Sequence, residues 1–150
     1  MRWKKLKKLI MCLCLFSLML VGCNDKKVQE LKCTMEETIS ENNVIKTIET
    51  NFENNKVLVA SIKLQTILNE KYLPYIDSFV KQMEEQFSNY KDKKGITSNI
   101  YQDDTSVTVY ISFNINNLDD DTKQELGFIN TDDSYDSAKK SLESNGYKCK

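Results

Sequence analysis

The 150-residue sequence contains no histidine, a single proline and only four glycines. Histidine is the commonest general base and metal ligand, so its absence removes every histidine-dependent triad and most transition-metal chemistry. Scarce glycine argues against phosphate-cradling loops, and no Gly-x-Ser-x-Gly elbow occurs. Of the five cysteines, only Cys23, Cys33 and Cys149 lie beyond residue 22, too few for a structural zinc site built from four protein ligands. These absences predict a protein that is not an enzyme and carries neither cofactor nor metal.

Acidic residues are missing from residues 1–22, which hold five of the 21 basic residues. The remainder therefore sets sixteen basic against 22 acidic residues, a net charge of −6. A domain that acidic lacks the Lys/Arg footprint that phosphate backbones require, so nucleic acid is not an expected partner.

What is present begins at the N-terminus. Arg2, Lys4, Lys5, Lys7 and Lys8 precede an uncharged apolar stretch from Leu9 to Val21, the layout of a signal peptide. That stretch is shorter than the ~20 residues a stable transmembrane helix needs. It ends in Leu20-Val21-Gly22-Cys23, which resembles the lipobox of bacterial lipoproteins. The resemblance implies acylation of the Cys23 thiol and cleavage before it; the alternative is an accidental cysteine behind a leader cut elsewhere. Two acyl chains, at about 0.8 kcal/mol per buried CH₂, suffice for stable anchoring. The expected organisation is a signal peptide over 1–22, a lipidated Cys23 and polar tether over 23–30, and one α+β domain over 31–150. Membrane lipid would be met through Cys23, on the extracytoplasmic face of the cell membrane.

Within the domain, Leu31, Cys33, Met35 and Ile39 alternate with polar residues, the period of a half-buried strand. "SENN" (40–43) ends that run, Val44–Phe52 forms a second, and "ENNK" (53–56) supplies turn chemistry before a third, "VLVASIKLQTIL". From Asn69 the period changes: Tyr72, Ile76, Phe79, Val80, Met83, Phe87 and Tyr90 share one stripe of a helix of about six turns. Asn69 is its expected N-cap, and Gly95 ends the segment. The aromatic stripe fits core packing better than a cofactor box.

A hairpin turning at Asp103-Asp104 follows, its second arm placing Val107, Val109, Ile111, Phe113 and Ile115 on one face, and Thr108, Tyr110, Ser112 and Asn114 on the other. Short helices near Thr122–Leu126 and Ser134–Asn145 close the chain. The expected fold is thus α+β: about five antiparallel strands (a three-strand meander, a long helix, a two-strand hairpin) with short C-terminal helices. The sheet face opposite the helix, bearing Tyr110, Thr108 and Thr47, is a candidate surface for an envelope protein or a small ligand.

Cys33 and Cys149 flank the domain, and in an exported protein the simplest state is a disulfide, the alternative being two unpaired thiols. Pairing would require Cα atoms about 4.4–6.8 Å apart. Asp119–Asp121 and "DDSYD" (132–136) could supply oxygen ligands for a Ca²⁺-dependent binding module. Neither matches an EF-hand loop, and both precede helical segments, where Asp serves as a cap.

The lipobox, "KCT" opening the first strand, the Thr-rich meander, "GITSNIYQDDTSVTVYISFNI" and "SYDSAKKSLESNGYKCK" together resemble the YehR-like family of small bacterial lipoproteins. The resemblance covers most of the chain after residue 28. It implies a compact, membrane-tethered α+β domain without an established enzymatic role, and it brings no functional residues with it.

Overall fold

Alternating apolar and polar side chains drive the first half of the domain into three antiparallel strands of equal length: β1 (Val28–Ile39), β2 (Asn42–Glu53) and β3 (Lys56–Ile67). The computed structural model of the protein describes residues 28–91, 93–127 and 134–150. Both hairpins turn through two residues at positive φ, Ser40-Glu41 and Asn54-Asn55, the mirror-image geometry that matches strand twist. Asparagine tolerates that region readily; Ser40 and Glu41 adopt it because the pairing on either side fixes the register.

After β3 the chain leaves the sheet. Asn69 caps the departure, its side chain accepting the Lys71 N–H at 3.2 Å. The continuous six-turn helix expected here is instead a 3-10 segment (Glu70–Tyr75), an α-helix α1 (Ile76–Phe87) and a further 3-10 turn (Ser88–Tyr90). Pro74 lies inside the first piece; lacking an N–H and crowding the preceding turn, it delays the regular helix until the residues beyond it. Two strands follow, β4 (Ile96–Gln102) and β5 (Ser106–Asn114), then short helices α2 (Asp120–Glu125) and α3 (Tyr135–Ser144). Ser134, not an aspartate of the acidic run, caps α3 by accepting the Ser137 N–H. Asp132 and Asp133 lie outside the described residues.

The sheet has six strands where about five were expected, in the order β4-β5-β3-β2-β1-β6, and every pairing is antiparallel. The addition, β6 (Lys148–Cys149), is two residues long, below the length at which alternation can be read. At the other end of the domain β1 begins at Val28, within the segment expected to be tether. Gln29 and Val28 pair with Phe52 and Glu53, so the ladder continues as far as β2 offers partners.

All three helices pack on one sheet face, over two hydrophobic clusters. Beneath α1 and α2, Ile96, Val109, Ile111, Phe113 and Leu118 are buried against Met83, Phe87, Tyr90 and Leu126. Beneath α3, Leu31, Cys33 and Phe52 are buried against Tyr135, Ala138, Leu142 and Tyr147. Phe52 is fully buried and meets the Tyr135 ring edge-on at 5.7 Å; a side chain of this size stabilises by about 1.5–3 kcal/mol through burial. Between the clusters runs an apolar groove of about 270 Å³ over Ile48 and Ile62. Its floor is incompletely covered, with Ile62 42% exposed.

Gly95 joins α1 to β4 with φ +84°. A Cβ there would stand 2.9 Å from the Asn117 carbonyl carbon, so backbone strain and close packing both require glycine.

Candidate functional site

Direct cross-strand partners project from the same face of a sheet. The registers therefore define rows across the face that the helices leave open. One row crosses all six strands: Lys148, Thr34, Thr47, Lys63, Tyr110 and Asn99. On one side lies the row Glu36, Ile45, Gln65, Thr108 and Tyr101; on the other, Lys32, Glu49, Ser61, Ser112 and Thr97.

Charge is unevenly spread over this grid. On the β1–β2 side, Lys32 is ion-paired with Glu49, and Glu36 accepts a hydrogen bond from Asn43 Nδ2. On the β3–β5–β4 side, the nine positions of the three rows carry hydroxyls, amides, two tyrosines and one charge, Lys63. Among the described residues Lys63 makes no ion pair.

Lys63, Tyr101, Thr108 and Tyr110 line one shallow depression of about 420 Å³. Tyr101 is 59% exposed; Tyr110 and Thr108 are half-buried and Lys63 is exposed. Tyr110 and Thr108 are thus brought together as two walls of one site. Thr47 faces Lys63 from the next strand, about 10 Å from Tyr110 at the usual strand spacing, and does not line the depression. Lys63 and Tyr101 complete the site and were not singled out from the sequence. A signal for Tyr101 existed, since Ile96, Ser98 and Ile100 alternate with Thr97, Asn99 and Tyr101. Lys63 sits in a strand whose apolar start obscures which face is open.

Cys33 lies opposite Cys149 in the β1–β6 ladder, and the two form a disulfide. Their Cα atoms are 4.0 Å apart, tighter than the separation expected from the sequence. Neighbouring Lys32 and Lys150 exchange the backbone hydrogen bonds, which leaves the cysteines at a non-hydrogen-bonded position, where antiparallel strands approach most closely. Cys23 lies outside the described residues. No helix among the described residues is long and apolar enough to cross a membrane.

Asp119 caps α2, accepting the Thr122 N–H at 2.7 Å, and that bond holds its carboxyl below the usual range. Asp120 lies 3.5 Å from Lys123, while Asp121 is exposed in the same first turn. Among the described residues no three His, Cys, Asp or Glu side chains form a metal-holding group. Asp103, in the β4–β5 turn, receives hydrogen bonds from the N–H groups of Thr105 and Ser106 and from the Ser106 hydroxyl, at 2.7–2.8 Å. These bonds, the Thr105 N–H foremost, also hold its carboxyl below the usual range.

No family model and no curated protein matches the chain. Among solved structures, the fold is similar to the NMR structure of a protein from Streptococcus pneumoniae TIGR4, with a TM-score of 0.56 and 12% identity, covering 87% of this chain and 90% of that one. It is also similar to the NMR structure of the E. coli YehR protein, with a TM-score of 0.52 and 17% identity, covering 81% and 91% of the two chains. At these identities what is shared is the fold, so the likeness to YehR read from the motifs holds at that level.

Proposed function

We propose that the protein is a YehR-like bacterial lipoprotein, anchored through acylated Cys23 on the extracytoplasmic face of the membrane. Its folded domain is non-enzymatic and binds an envelope protein or small ligand on the open sheet face. The observation that carries this is the depression formed by Lys63, Tyr101, Thr108 and Tyr110 on a face that no described helix covers. Two tyrosine rings side by side, one of them 59% exposed, give this surface the aromatic content in which recognition surfaces are enriched.

Anchoring is tested by feeding cells an alkyne-bearing palmitate analogue. The wild-type chain incorporates the label and sediments with membranes, whereas Cys23→Ala does neither; a labelled Cys23→Ala chain removes the anchor. Binding is tested by placing the photo-crosslinker p-benzoylphenylalanine at position 110 in intact cells. A discrete adduct forms there and is absent when the crosslinker replaces exposed Lys81 on α1. Equal adducts at both positions, or none at position 110, count against the face.

A further inference from the structure

On the reading that the open face binds a ligand, we infer that this ligand is an acidic saccharide, its sugar ring lying on Tyr101 or Tyr110 and its phosphate or carboxylate group meeting Lys63. Three observations converge on that chemistry.

The first is charge. Beyond the leader the chain is strongly acidic, yet the nine positions on the β3–β5–β4 side of the open face include no acid and a single cation. Lys63 lies directly opposite Tyr110 and forms no ion pair among the described residues. Every other acid or base on the three rows but Lys148 has a hydrogen-bonded or ionic partner. The carboxylate diagonal to Lys63, Glu49, is itself ion-paired with Lys32, so an anion arriving at Lys63 meets an ammonium with no ion pair among the described residues, and a hydrogen bond between charged groups is among the stronger ones available.

The second is the lining. Tyr101 and Tyr110 occupy diagonal positions on β4 and β5, because Tyr101 pairs with Thr108 and Tyr110 with Asn99. Diagonal partners stand about 7–8 Å apart, so each ring can offer contact area of its own. Thr108 lines the same depression, and Gln65, Asn99, Thr97 and Ser112 stand around it. Hydroxyl and amide groups that both donate and accept are the partners a polyol needs, while the apolar faces of a pyranose match aromatic rings.

The third is position. β5 and β3 are interior strands whose backbone groups are already paired on both sides. The free ladder nearest the site is the outer edge of β4, two strands from Lys63, so an acidic peptide lying over Lys63 and Tyr110 would find none beneath it and would lose the contacts that give extended peptides most of their affinity. A ligand recognised through hydroxyls and one anion needs side chains alone.

The test uses the full chain in non-ionic detergent and fluorescent polymers of matched length: polygalacturonic acid, a phosphate-substituted mannan, neutral dextran and poly-glutamate. Retention of the galacturonan or the phosphomannan, with dextran and poly-glutamate unretained, is the expected result, and the polymer retained names the anion. Lys63→Gln and Tyr101→Ala each weaken that retention about tenfold with unchanged melting temperatures. A Lys81→Gln control on α1 leaves it unaltered. Poly-glutamate retained as strongly as the acidic saccharides makes the surface a site for acidic peptides and overturns the inference, as does dextran retained equally or indifference to Lys63→Gln. If no polysaccharide is retained while crosslinking at position 110 persists, the binding face stands and the saccharide falls.

Discussion

Cys149, one residue from the C-terminus, is bonded to Cys33 on the outermost long strand of the sheet. Only two residues of β6 pair with β1, too short a ladder to hold the tail by hydrogen bonds alone. The covalent bond therefore fixes the tail, and with it the neighbouring Tyr147 and Leu142, over the cluster around Leu31 and Phe52.

Removing that bond should loosen one end of the molecule. The crosslink joins residues 116 apart, and in the chain-entropy model closing so long a loop stabilises by about 4–5 kcal/mol. The Cys33→Ser/Cys149→Ser double variant is expected to lose most of that in urea denaturation, with hydrogen exchange rising first in α3 and β6. An unchanged unfolding midpoint would show that the packing of α3 alone holds the tail.

Core and groove positions should respond differently to truncation. Phe52 is fully buried and packed on Tyr135, so Phe52→Ala is expected to cost about 3–5 kcal/mol. Ile62 lies on the same helix-bearing side but is 42% exposed in the groove, and Ile62→Ala should cost about 1 kcal/mol or less. Equal losses in chemical denaturation would mean that the groove is as tightly filled as the clusters beside it.

The β4–β5 turn should carry a pH signature. Asp103 sits below its ordinary value of 3.8 when folded, so on acidification the unfolded chain takes up the proton first. Stability contributed by the ionised side chain is complete above about 3.8 and is lost as pH falls through the lower folded value. Asp103→Ala is therefore expected to melt below wild type at neutral pH, with the gap closing as the pH drops well under 3.8. A gap that stayed constant across that range would assign the loss to packing instead of ionisation.

Much of the sheet was legible because strand alternation is local. Of Val107, Val109, Ile111, Phe113 and Ile115, which read as one face of a strand, the first four are buried in β5 while Ile115 lies beyond it in a 3-10 turn; Thr108 and Tyr110 read as the opposite face and line a depression on it. The α1 stripe was legible too, and Met83, Phe87 and Tyr90 pack where the spacing put them. Its regular helix is shorter than the stripe because Pro74 imposes a local break. Elements too short for a period escaped: β6 exists only because Cys149 meets Cys33 and Lys150 exchanges hydrogen bonds with Lys32.

The sequence by itself determined the alternation, the turns and the Asn69 and Asp119 caps, since each depends on residues close together in the chain. Tertiary structure decided which strands became neighbours. Lys63 belongs to the meander and Tyr101 and Tyr110 to the later hairpin; they share a site because β5 inserts between β3 and β4. Strand order is set by which faces can bury their apolar side chains together, a long-range choice that no local pattern encodes.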